Sequence, residues 1–124
     1  MNALLQARTA YGVAEDATRT PRDAEYQAFA RATRALTAAA RSGKTAPGQL
    51  ADALTLNRRL WTVLAADLAI EGNALPEGLR VGLLGLAQFV LNHSDTVLNG
   101  GGDVAPLVDV NTAIMRGLRG QDAQ

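Results

Sequence analysis

Few residues in this chain of 124 have types and spacings suited to covalent chemistry. The single histidine, His93, is followed by Ser94 and Asp95. A hydrolytic triad is defined by its geometry in space. Three consecutive residues of one helix point in different directions and cannot form it. A histidine near a helix C-terminus is favoured there by the dipole instead. Asp67 and Glu71 stand at four-residue helical spacing, but a metal ion would require further oxygen ligands. Gly100, Gly101 and Gly102 lack the following Lys-Ser/Thr of a phosphate loop and the preceding strand of a dinucleotide fold, so they read as a connection. The absence of cysteine excludes disulfides, zinc–thiolate sites and thiol catalysis. No nucleophile–base pair or cofactor motif is evident, so the expectation is a protein that is not an enzyme and takes no metal or cofactor.

The remaining candidates are suited to recognition. Arg58 and Arg59 could meet phosphate. The chain, however, balances 12 basic against 12 acidic residues, and no basic stripe surrounds the pair, so solvated charge or a partner carboxylate is the simpler reading. Asn57 and Asn111 each sit among apolar residues at helical spacing. A buried amide must find partners or cost about 1–3 kcal/mol, which suggests that the two bond each other or an irregular backbone between helices and so fix helix register, with a direct role in partner recognition as the alternative.

These residues must be positioned by helices, because no stretch alternates as a strand does. Leu50 to Ile70 carries the densest apolar pattern. Leu50, Ala53, Leu54, Asn57, Trp61, Leu64 and Leu68 share one face, with Trp61, the only tryptophan, at its middle. Leu56, Val63 and Ile70 form a second, straight seam flanked by Arg59 and Asp67. Another helix of the same chain would cover this seam, or it would offer a partner helix an apolar groove with charged edges. These five residues are the candidate partner-binding set.

Start and stop residues delimit the other helices. Thr20-Pro21-Arg22-Asp23 opens one that ends at Gly43. Ala46-Pro47 opens the central helix and Gly72 closes it. Pro76 opens a third that reaches His93 or Leu98, with Leu79, Leu83, Leu86 and Val90 as its expected main face. Gly78, Gly82 and Gly85 lie on one strip of it, where small residues would let a neighbouring helix approach closely. Asp103 and Pro106 start the last helix, which presents Leu107, Val110, Asn111, Ile114 and Leu118 and stops near Gly120. The expectation is an all-α domain over residues 1–120, with four main helices, a short N-terminal helix over Ala3–Tyr11, and a disordered tail over 121–124. No apolar run is long enough to span a membrane, and the N-terminus lacks the features of a secretory signal.

Several segments together resemble one family: Tyr11-Gly12, TRTPRDAEY over Thr18–Tyr26, LNRRLWTVLAADLA over Leu56–Ala69, GNALPEGLR over Gly72–Arg80 and DVNTAIMRGL over Asp109–Leu118. Taken in this order, they resemble the FlaF family, small flagellar regulators of alphaproteobacteria. The Gly82–Gly85 region and the triple glycine depart from the family pattern. The resemblance implies a cytoplasmic, non-enzymatic regulator of flagellum biogenesis. Such a protein would bind flagellin as a secretion chaperone or adaptor, couple flagellin synthesis to export and act alongside FlbT. A post-transcriptional regulator that binds flagellin messenger RNA is the alternative, and it would need Arg31, Arg34, Arg41, Arg58 and Arg59 to converge on one basic surface.

Overall fold

The computed structural model describes residues 21–43, 46–70 and 72–122. Over these residues the fold is all-α, with no strand: α1 (Pro21–Ser42), α2 (Pro47–Ala69), α3 (Glu77–Leu98) and α4 (Ala105–Asp122). The expected helix over Ala3–Tyr11 lies outside the described residues, as do Thr20 and Glu71.

The helix ends follow from local chemistry. Pro21 and Pro47 sit at helix starts, where a missing N–H costs nothing. Asp23 places its carboxylate in the first turn of α1, and Gly43 leaves that helix with a φ of +55°. Helix α2 stops at Ala69, a little before the expected Gly72, because Ile70 is already extended at φ −67° and ψ 130°. Two side chains satisfy its last carbonyls: Asn73 Nδ2 donates to Asp67 O at 3.1 Å, and the Arg80 guanidinium donates to Leu68 O at 3.3 Å from the first turn of α3. Gly72, at φ +86°, then turns the chain. Helix α3 runs on to Leu98, and Gly100 follows at φ +84°. Asp103 Oδ1 accepts the Ala105 N–H at 2.8 Å and so caps α4 as expected.

The four helices form a square in which α1 and α3, and likewise α2 and α4, stand on the diagonals. Three sides are closed: α1 on α2, α2 on α3, and α1 on α4. On the fourth side α3 and α4 touch only sparsely. The centre is filled by Phe29, Leu36, Trp61, Val90 and Leu107, all essentially without exposure. Phe29 meets Trp61 edge to face, with ring centroids 5.7 Å apart and planes at 80°.

The open side changes the reading of α3. Its buried residues are Ala87, Val90, Ser94 and Val97. Leu79 and Leu86, expected on the main face with Val90, are exposed at 48% and 37%. The physical reason is that α4 does not follow α3 closely enough to cover that flank. The glycine strip is likewise uncovered: a Cβ built at Gly78, Gly82 or Gly85 meets no atom within 4 Å. Among the described residues, therefore, no neighbouring helix approaches these glycines closely.

Candidate partner-binding surface

The residues with chemical potential are used structurally. His93 is half-buried, its Nε2 lies 2.9 Å from Asp103 O, and its ring stacks on Phe89 at 5.5 Å. It thereby ties the last turns of α3 to Asp103, just before α4. Ser94 is buried and donates back to Val90 O at 2.7 Å. Asp95 points to α2, where it pairs with Arg58 at 2.8 Å. The three neighbours thus face three ways. Among the described residues no group of three or more histidines and carboxylates could hold a metal ion, and no helix is long and apolar enough to cross a membrane.

Asn57 and Asn111 meet across the α2–α4 diagonal. The Trp61 indole N–H donates to Asn111 Oδ1 at 2.8 Å, and Asn111 Nδ2 donates to Asn57 Oδ1 at 2.8 Å. All three residues have no exposed surface. The amide orientations are forced, because indole offers only a donor and Asn111 must turn its oxygen to it. Asn57 Nδ2 is then left without a partner among the described residues. This network locks α2 to α4 and has no access to a partner.

The five residues of the expected seam are placed unequally. Leu56 and Ile70 are exposed at 38% and 52%, Val63 is half-buried against the core, and Arg59 is exposed. Ile70 lies one residue beyond the helix, so the seam does not continue straight to its end. Asp67 is only 5% exposed and sits under α1 instead of forming a charged edge.

There Asp67 faces Glu25, whose pKa is raised above its ordinary 4.5, first by burial and second by the Asp67 charge, with Arg22 opposing. The folded chain therefore binds this proton more tightly than the unfolded chain. That stabilisation is fully present below about pH 4.5 and is lost as pH rises through the raised value. Glu25→Gln is expected to raise the thermal midpoint near pH 7 and to give little or no gain near pH 4. Melts at the two pH values check this; a gain confined to the acidic side would contradict it.

The arginines do not converge. Arg31, Arg34 and Arg41 are exposed on α1, whereas Arg58 is engaged with Leu91 O and Asp95 of α3, the helix diagonal to α1.

The spacing analysis missed Phe89, exposed at 42%, along with the exposure of Leu79, Val81 and Leu86 around it. One signal was available. The glycine strip, extended by one turn, leads to Phe89, and a face with neither neighbour nor charge is unusual on a soluble bundle.

Neither the curated proteins nor the solved structures contain a match to this chain. A family model described as flagellar protein FlaF matches residues 7–118, nearly the whole sequence. With that match added to the ordered segments in the sequence and the all-α fold, the chain belongs to the FlaF family of flagellar proteins.

Proposed function

We propose that this protein binds flagellin as a secretion chaperone or adaptor and couples flagellin synthesis to export, without catalysis or a cofactor. On this reading it works in the cytoplasm, with FlbT as a co-acting partner. The observation that carries the reading is the amount of apolar helix surface left open. Among the described residues Leu56, Ile70, Leu75, Leu79, Val81, Leu86, Phe89 and Leu98 are all exposed large hydrophobics, and most of them belong to α3 and its approach. Surface of this kind typically marks a site that another apolar surface covers. Flagellin termini are amphipathic helical segments that stay disordered before assembly, and a helix-in-groove contact would cover their apolar side until export.

The messenger-RNA alternative receives less support. The net charge is zero, the arginines are divided between α1 and α2 with Arg58 turned away to Asp95 of α3, and the exposed Phe89 has no arginine stacked on it, only His93. Purified protein titrated into monomeric flagellin, and separately into flagellin messenger RNA, tests the proposal. The expected result is a stoichiometric protein complex whose affinity changes little with salt. Tight, sequence-selective RNA binding with no flagellin complex would reverse it.

A further inference from the structure

We infer that the open side between α3 and α4 is the docking groove for an amphipathic helix of the partner, uncharged along its seam. The inference rests on the proposed function for the partner's identity, but the groove is argued from the fold.

The first observation is the missing contact. Three sides of the helical square are closed, and only α3 and α4 stand apart after their connection. Leu79 and Leu86 are exposed along the α3 flank of this opening, although both continue the phase of the buried Val90 and Val97. By the same helical phase, Val110 and Ile114 of α4 turn toward it, and both are only partly buried at the edge of the core. The opening thus has apolar walls on two different helices. That is a groove, and it differs from an isolated greasy residue.

The second observation is charge. From Val81 to Ser94 the sequence of α3 holds no Asp, Glu, Lys or Arg. The flank of α4 with Val110 and Ile114 adds only small residues, Ala113 and Gly117. An occupant with a charged seam would leave that charge buried and unpaired, so the groove selects an uncharged one. The third observation is relief. Gly82 and Gly85 leave a shallow notch beside Phe89, and nothing in the described chain fills it. Three turns, from Leu79 to Phe89, span about 15 Å. A partner helix of three to four turns can lie along this length and place a bulky apolar side chain over the glycines.

A free helix suits the groove better than a second copy of this chain does. Stable interfaces bury roughly 1,200 Å² or more in total. A helix seated between α3 and α4 is covered on two flanks. In a second copy the matching apolar ridge is that of its own α3, which is backed by α2.

The test uses the full-length protein and monomeric flagellin, with binding measured by calorimetry for the wild type, Phe89→Asp, Gly82→Leu and Leu56→Asp. A Cβ at Gly82 meets no atom within 4 Å among the described residues and Phe89 is exposed, so both variants are expected to melt as the wild type does. Both are expected to weaken binding at least about tenfold, as loss of an interface anchor does, and by more than Leu56→Asp does. Unchanged affinity in both α3 variants overturns the groove but leaves the proposed function standing. Loss confined to Leu56→Asp moves the site to the α2 seam and also overturns the groove. A concentration-dependent dimer in light scattering that Phe89→Asp abolishes, with flagellin affinity intact, assigns the face to a second copy. A lower melting point for Phe89→Asp shows that the chain covers the groove itself. Failure of the wild type to bind flagellin at all overturns the groove and the proposed function together.

Discussion

Trp61→Ala is expected to lower the free energy of unfolding by about 3–5 kcal/mol. The indole has no exposed surface, meets Phe29 edge to face, and sits where α2 faces the centre of the bundle. Its removal leaves a large void beside Phe29 in the buried core, and close-packed helices can collapse into such a void only partly. It also removes the donor that pairs with Asn111 Oδ1, leaving a buried acceptor unsatisfied at a cost of about 1–3 kcal/mol. A domain of this size is typically stable by roughly 5–15 kcal/mol, so the variant should be close to unfolding at physiological temperature. Because Trp61 is the only tryptophan, denaturation is best followed by helical circular dichroism. Trp61→Phe keeps most of the volume and loses only the N–H, so it should lie between wild type and Trp61→Ala. An unchanged midpoint for Trp61→Ala would contradict the packing argument.

The same residue shows what was legible in the sequence. Trp61 lies mid-stripe between Leu54 and Leu68, and periodicity alone places that stripe in a core. The proline starts, the turns at Gly43, Gly72 and Gly100 and the Asp103 contact before α4 are local chemistry, and the structure has them, whereas α4 runs through Gly120 to Asp122. A bond between Asn57 and Asn111 was one of the options the sequence offered, because each was the one polar residue on its apolar face, and the structure selects it. What was not legible is which apolar faces find a neighbour. Leu79 and Leu86 have the phase of a buried face, and only the separation of α3 from α4 exposes them. Asp67 has the phase of a seam edge, and only the position of α1 buries it against Glu25. Ile70 sits a heptad after Val63, but the extended residue required before the Gly72 turn takes it off the helix. Each of these depends on the distance between elements, which a periodic pattern in one segment does not contain.

Asn111→Leu is the second large effect, and its partner variant makes it diagnostic. Asn111 is the middle member of the buried network. Replacing it by a leucine of similar size strands the Trp61 N–H and the Asn57 oxygen at once. Two buried polar groups without partners should cost about 2–6 kcal/mol together. Asn57→Leu strands only the Asn111 amide N–H, and it also removes Asn57 Nδ2, which lacks a partner among the described residues. Its cost should be clearly smaller. In the double variant only the Trp61 N–H remains unsatisfied. Adding Asn57→Leu to Asn111→Leu is therefore expected to recover roughly 1–3 kcal/mol, a coupling opposite in sign to simple accumulation. Chemical denaturation of the four proteins reads this cycle directly. Additive losses, or an Asn57→Leu variant as damaged as Asn111→Leu, would show that the three side chains do not act as one chain of hydrogen bonds with its open end at Asn57.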